Sequence, residues 1–295
     1  MKFGVREVAD VMLKAKVDGQ KVGNKTFQKG QPVCHFDTLK TTTVEGAATT
    51  VYATGGKGNP RLIAWEGERT LTFTMEDALI SPMGIAILTG AGIIEAGAGD
   101  KAIPQHITAT IKATANGLEI ENAATDLNST KGWDDDGDGD EEEPTAPLEN
   151  QDIWICKLDD EGNPDGDFFA GKYDGTKQAI IARDTKDAIT ADKFYMADYY
   201  VMRESSLKQI DIEPDKFGGN YYLEASTLFR DQSTGTDYPA EFILPNCRIQ
   251  SNFTFTMAPT GDPSTFTFTV DAFPGVTKYD ASKKVLCAIQ VYSGE

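Results

Sequence analysis

The sequence is poor in the residues on which enzymes and metal sites most often depend. It has only 2 histidines, and neither His35 nor His106 lies in a nucleophile-elbow or zinc-protease motif. Its 4 cysteines are scattered singly, at Cys34, Cys156, Cys247 and Cys287. This spacing argues against a zinc site and against a dense disulfide framework. The sequence therefore predicts a protein that is not an enzyme, although its carboxylates leave a glycosidase pair open without selecting one.

Long apolar runs and basic charge are also lacking. The first residues alternate charged with apolar side chains, so no standard export signal is predicted. The most apolar stretch, residues 79–99, is interrupted by Pro82 and Glu95 and falls short of a membrane span of about 20 residues. The formal net charge is −18, which makes the general surface unsuited to binding nucleic acid. No glycine-rich stretch matches a nucleotide-binding fingerprint, so no cofactor is predicted.

Alternating apolar and threonine residues are the clearest structural pattern. The segments 70–75, 252–257 and 265–270 each place a large apolar residue at every second position, which predicts strands with one buried face. A connection rich in turn-forming residues separates the last two, so we expect them to form a hairpin. Phe253, Phe255, Phe266 and Phe268 would anchor this hairpin in the core. Its opposite face would carry Thr254, Thr256, Thr267 and Thr269.

One short helix is predicted within this β-rich chain. Ser81 can cap it, Pro82 suits its first position, and Gly90 can end it. Its apolar residues Ile85, Ile87 and Leu88 cover more than one face. We therefore expect the helix to lie between a sheet and a second surface, either an inserted region or a neighbouring subunit. The fold class predicted is mainly β, a β-sandwich or barrel with one packed helix.

The middle of the chain reads as an insertion. Residues 123–235 are expected to be a loop-rich β elaboration of a core that is formed by residues 1–122 and 236–295. The insertion holds an acidic run, residues 134–143. Alternating carboxylates there match the first half of a calcium loop, with candidate ligands Asp134, Asp136, Asp138 and Asp140. Thr145 stands where the second half needs a bidentate glutamate, so a solvated acidic loop without metal is the other interpretation.

Two blocks of the sequence resemble the major tail tube proteins of long-tailed bacteriophages. The first runs from Glu45 through the glycine-rich loop 55–59 and the segment 61–66 to the strand before Pro82. The second holds Leu244–Ile249, the phenylalanine–threonine segments with the turn 260–266, and the ending Val270–Pro274. The middle of the chain departs from the resemblance, because members of that family are usually shorter.

The resemblance implies a structural role in the virion tail. Such proteins form hexameric rings in which hairpins join edge to edge, and the rings stack head to tail into a tube that guides DNA. Thr254, Thr256, Thr267 and Thr269 would then face the lumen, and Ile85, Ile87 and Leu88 would serve subunit packing. The implied partners are further copies of the chain, other tail proteins such as a sheath or tape measure, and DNA that passes without specific binding. The protein would be made in the host cytoplasm.

An alternative of a different class stays open at this point. A calcium-dependent β-sandwich binding module, or another virion surface module, would use the acidic run as its metal site. The two hypotheses differ in assembly, because the tube subunit should form rings or tubes whereas the binding module should remain monomeric.

Overall fold

The fold is mainly β, as the sequence predicts. The structure, a computed structural model, describes residues 2–5, 7–96, 103–120, 153–203, 205–254, 259 and 265–292. They divide into two compact units, the first formed by residues 1–93 with 210–295 and the second by residues 94–209. In the part of the chain described, no helix combines the length and the apolar character that a membrane span requires.

The elements follow one another in chain order as strands, with one helix after the seventh strand. The N-terminal part of the first unit contains β1 (Phe3–Val5), β2 (Asp10–Ala15), β3 (Gln20–Val22), β4 (Lys25–Phe27), β5 (Pro32–Phe36), β6 (Leu39–Thr54), β7 (Arg61–Asp77) and α1 (Pro82–Thr89). There follow β8 (Ile93–Glu95), β9 (Ile103–Lys112), β10 (Leu118–Glu119), β11 (Trp154–Lys157), β12 (Phe169–Asp174), β13 (Ala179–Ala182), β14 (Phe194–Arg203) and β15 (Lys208–Ile210). The chain then returns to the first unit with β16 (Asn220–Asp231), β17 (Asp237–Ile249), β18 (Phe266–Ala272), β19 (Gly275–Val276), β20 (Lys284–Val285) and β21 (Ala288–Val291).

A nine-stranded antiparallel sheet organises the first unit. Its strand order is β5-β2-β16-β17-β18-β7-β6, with β1 added to β16 and β21 added to β17. One face of the sheet carries the alternating apolar side chains that form the core, among them Leu13, Phe73, Met75, Leu223 and Phe268. Among the described residues, β5 and β6 end the strand order, and each has one edge without a neighbouring strand.

The first strand of the predicted C-terminal hairpin differs from the prediction. β18 pairs with β17 through Ile249 opposite Val270 and with β7 on its other side, while residues 252–254 belong to no strand. Phe253 instead lies against Phe266, with ring centroids 6.5 Å apart. The strand before the connection, β17, therefore ends at Ile249, three residues before residue 252, where the predicted strand begins. The reason is that core packing outweighs the alternating pattern. Phe255 and Thr256 lie outside the described residues.

The predicted helix is confirmed, with its caps. The Ser81 hydroxyl accepts a hydrogen bond from the Gly84 N–H at 3.0 Å, and Pro82 is the first helical residue. Gly90 ends the helix with a φ of 73°, and its N–H donates to the carbonyl oxygen of Ala86 at 2.9 Å. A β-carbon at position 90 would lie 2.3 Å from the Phe217 carbonyl oxygen, so both conformation and space require glycine.

The second unit holds a six-stranded sheet with its own core. The strand order is β10-β13-β12-β11-β14-β9, and the core includes Ile153, Ile155, Ile180, Tyr195 and Tyr199. The division of the chain thus differs from the predicted boundaries at 122 and 236. β9 belongs to the second unit because it pairs along its whole length with β14, and β16 belongs to the first because it lies between β2 and β17.

Candidate functional site

The side of the nine-stranded sheet opposite the core carries a ladder of threonines and carboxylates. Cross-strand partners share a face, and the registers of β6, β7 and β18 align three such rows. The rows are Thr41–Glu76–Thr267, Thr43–Thr74–Thr269 and Glu45–Thr72–Asp271. We call these nine residues the threonine face. All of them are exposed or half-buried, so the face is available to a partner or to solvent.

The threonine face is polar and acidic. Its three carboxylates accompany short hydroxyl side chains that fit the pleated surface of a sheet. The Gln250 amide nitrogen donates to both Asp271 carboxylate oxygens, at 3.1 and 3.0 Å, and so holds that side chain in place. Arg248 pairs with Asp271 in register and is a cation at the border of the face. A surface of this chemistry offers few partners to phosphate.

Of the four threonines predicted to face the lumen, the structure places two on this face. Thr267 is exposed and Thr269 half-buried, and both point away from the core beside the buried Phe266 and Phe268. Thr254 is exposed but lies outside any strand, and Thr256 is not among the described residues. Sequence reasoning missed the equivalent threonines of β6 and β7, although Thr72 and Thr74 alternate with Phe73 and Met75 in the same way.

A second candidate surface is a long two-stranded arm. β6 and β7 have 16 and 17 residues, but β18 pairs with β7 only at residues 72–77. The remaining part, residues 46–71, is a ribbon of two strands that pair only with each other among the described residues. We call this ribbon the arm. An isolated two-stranded ribbon is marginally stable in water, so the arm is expected to gain support from a partner.

One face of the arm is apolar and bare. Val51 pairs with Trp65, and Ala53 with Ile63, so their side chains project from the same face. Val51, Ile63 and Trp65 are 62%, 54% and 53% exposed. The opposite face differs, because there the Arg61 guanidinium lies over the Tyr52 ring at 4.1 Å. Leu62, at the register shift between Ala53 and Thr54, is 62% exposed as well. Exposed apolar side chains grouped on one element indicate a binding surface.

A β-bulge separates this apolar face from the base of the arm. The register shifts between Ala48 and Thr50, and the Thr49 hydroxyl accepts a hydrogen bond from the Glu68 N–H at 2.9 Å. A β-carbon on Gly67 would lie 2.5 Å from the Thr49 hydroxyl oxygen. Glycine is therefore needed at the bulge, which fixes the direction in which the outer part of the arm leaves the sheet.

A groove of about 570 Å³ lies beside the base of the arm. It is lined by Gly46, Ala47, Ala48, Arg69, Thr70, Leu71, Val285, Leu286 and Cys287. We call it the basal groove. Leu71 and Cys287 also pack against the main core, so the groove continues the core outward. Its small residues leave room that a larger apolar side chain could fill.

The helix residues predicted to pack between subunits lie mostly inside their own unit. Ile87 and Leu88 are fully buried in the main core, and Ile85 is half-buried. A β-carbon on Gly218 would lie 2.7 Å from the Ile87 carbonyl oxygen, so the segment around Gly218 is the second surface that covers the helix. A contact between the helix and a neighbouring subunit stays a prediction, and Ile85 is the half-buried residue that would make it.

The titratable residues singled out by the sequence do not form a reactive centre in the described part of the chain. Burial raises the pKa of the Cys34 thiol to about 11 and that of Cys247 to about 12, so both thiols stay protonated at neutral pH. His35 is exposed on β5, while His106 contacts the Asp198 carboxylate on an open sheet face of the second unit.

The calcium hypothesis is not tested by these residues. Asp134, Asp136, Asp138 and Asp140 lie outside the described ranges. Among the residues that are described, no group of three or more histidine, cysteine or acidic side chains is placed to hold a metal ion. Metal binding by the acidic run therefore stays a prediction.

Comparison with known proteins identifies the family. No curated protein matches the chain. A family model described as the YomU/Tube protein family matches residues 3–285, which takes in every strand of the nine-stranded sheet except β21, together with the arm and the second unit. Because this match extends over nearly the whole sequence, the chain belongs to the YomU/Tube protein family.

Proposed function

We propose that the protein is a tail tube subunit of a bacteriophage virion, and that its copies form stacked hexameric rings around a channel for DNA. The family assignment supports a structural tube protein. The observation that carries the finer proposal is the threonine face, a regular polar ladder across β6, β7 and β18. The threonine face lies on the side of the sheet opposite the core. A sheet that lines an aqueous channel needs hydroxyls on that side rather than apolar groups.

Ring closure has a physical basis in the two ends of the sheet. An unpaired strand edge presents backbone N–H and C=O groups that favour pairing with another chain. β5 and β6 are the terminal strands of the nine-stranded order. Pairing of β5 in one copy with the base of β6 in the next would continue the sheet around a ring. The threonine faces of the copies would then form one continuous inner surface.

The charge of the face suits DNA transport. Glu45, Glu76 and Asp271 repel phosphate, and the threonine hydroxyls are too weak as donors to hold it. DNA would pass without specific binding. A tape measure or a sheath protein remains a predicted partner.

Two lysines introduced into the centre of the face test the proposal. Thr74→Lys with Thr269→Lys should leave the fold intact, since both side chains point away from the core. Tubes formed by this variant should retain DNA, and the retention should fall steeply as salt is raised. Negative-stain microscopy and a DNA co-sedimentation assay measure the two properties.

A matched control places the same charge elsewhere. Thr108→Lys with Thr110→Lys alters two exposed threonines of β9 in the second unit. Its tubes should retain no more DNA than the wild type. The lumen assignment is wrong if the two lysine variants retain DNA equally, and the tube proposal itself is wrong if the wild type stays monomeric at high concentration.

A further inference from the structure

We propose that the apolar face of the arm binds in the basal groove of a second copy of the chain. The inference rests on the proposed function and names the contact that would join copies in a row. It is carried by two features of the first unit, the bare side chains of Val51, Ile63 and Trp65 and the apolar groove beside Leu71 and Cys287.

The occupant has to be another copy, because the arm cannot reach its own groove. The groove is formed in part by Ala48 and Arg69 at the base of the same arm. From there the two strands remain paired out to Ala53 and Ile63, interrupted only by the bulge. A paired ribbon is too stiff to fold its outer part back onto its base within a few residues. The apolar face is therefore presented outward.

The chemistry of the two surfaces is complementary. Trp65 is the largest exposed side chain of the arm, and tryptophan is the residue type most enriched among dominant contacts at protein interfaces. The groove offers it an apolar floor that continues the core, and Gly46 with Ala48 leaves the space. Arg69 lies in the groove. Arg69 is held only loosely in its own chain, by Glu66 at 3.7 Å with both side chains mostly exposed.

The contact would be head to tail. Arm and groove are different patches, so each copy that uses one of them keeps the other free for the next copy. Such a heterologous contact extends into an open row when the rotation between successive copies does not close a ring. This geometry fits the growth of a tube.

Complementary variants test the contact directly. Trp65→Glu removes the arm's central apolar residue, and Ala48→Trp fills the groove. Each variant alone should form no tubes and should stop at single rings in size-exclusion chromatography with light scattering, with unchanged far-UV circular dichroism. A mixture of the two should give paired rings, because one intact arm and one intact groove remain. Ala64→Glu is the matched control, since Ala64 is exposed and pairs with Tyr52 on the other face of the arm, and it should assemble normally.

A native cysteine in the groove provides a second measurement. Ile63→Cys, treated with copper–phenanthroline at alkaline pH, should form an intermolecular disulfide with Cys287 that peptide mass spectrometry identifies. Ala64→Cys should not form it, and Cys287→Ser should abolish it. Assembly of the Ala48→Trp variant at wild-type level, or a crosslink from position 63 that avoids Cys287, would overturn the inference and leave the proposed function standing. A wild-type protein that never assembles would overturn both.

Discussion

Phe268→Ala should destabilise the first unit strongly and leave the second unit unchanged. The Phe268 ring is 2% exposed, and its centroid lies 5.0 Å from that of Phe36 and 4.9 Å from that of Phe266, both in edge-to-face geometry. A β-carbon on Gly84 would lie 3.3 Å from the Phe268 Cζ, so the helix backbone rests on this ring. Truncation would leave a cavity between the helix and the sheet.

The size of the effect follows from this packing. Phenylalanine-to-alanine changes in cores cost about 3–5 kcal/mol, and sites that cannot collapse are at the upper end. A cost of about 4 kcal/mol would raise the opening equilibrium of the unit by roughly a thousandfold. Hydrogen exchange followed by mass spectrometry should show this increase in peptides from β2 and β16, which share the core with Phe268. Peptides from β14 should not change.

The neighbouring residue supplies the control. Thr267→Ala alters a side chain on the opposite, exposed face of the same strand and should change stability by no more than about 0.5 kcal/mol. An effect of Phe268→Ala below about 1 kcal/mol, or equal acceleration of exchange in the second unit, would refute the packing argument.

Two further predictions concern turns of the first unit. Gly90→Ala and Gly235→Ala both force a left-handed φ, 73° and 70°, which costs about 1 kcal/mol. Only position 90 also meets the Phe217 carbonyl oxygen, so urea unfolding should show the larger loss for Gly90→Ala, and equal losses would contradict this. The hydrogen bond from the backbone N–H of Thr234 lowers the pKa of Asp231. The charged carboxylate therefore stabilises the fold at pH values above the ordinary pKa of an aspartate, and this stabilisation is lost as the pH falls through the lowered pKa. The stability difference between wild type and Asp231→Asn should therefore shrink in acid, and a difference independent of pH would refute the assignment.

Local patterns predicted the parts of the fold that local forces decide. The helix was found because Ser81, Pro82 and Gly90 satisfy its ends whatever surrounds it. The faces of β18 were found because every second residue must be apolar when one side of a strand is buried. These features can be predicted without knowing which strands pair with each other.

The arm could not be recognised as a site from the same patterns. Its exposure depends on β18 pairing with β7 only up to Thr72, which is a long-range property. The segment Arg61–Glu66 reads like an ordinary strand, and nothing local shows that Ile63 and Trp65 lack a core to pack against. The sequence offered one signal, the length of the two strand patterns on either side of the loop 55–60. These strands are longer than a neighbouring strand of ordinary length can pair with.

The predicted boundaries of the insertion failed for a related reason. The acidic run suggested a boundary at residue 123, but β9 pairs with β14 of the second unit. That unit begins at residue 94. Composition marks where a chain is polar, but the partner strand decides to which sheet it belongs. In the same way β16 was assigned to the insertion, although Tyr221 and Leu223 pack in the main core.

The arm presents exposed apolar side chains on a chain of high negative charge. One face holds Val51, Ile63 and Trp65, and the Arg61–Tyr52 stack and Glu66 lie on the opposite face. The net charge of −18 makes copies repel one another at a distance and opposes unspecific aggregation. A contact between copies must then be short-range and apolar to overcome this repulsion, since the attraction of buried apolar area does not extend beyond contact. On the contact proposed above, high overall acidity and a small apolar face would together restrict association to the places where the shapes of arm and groove match.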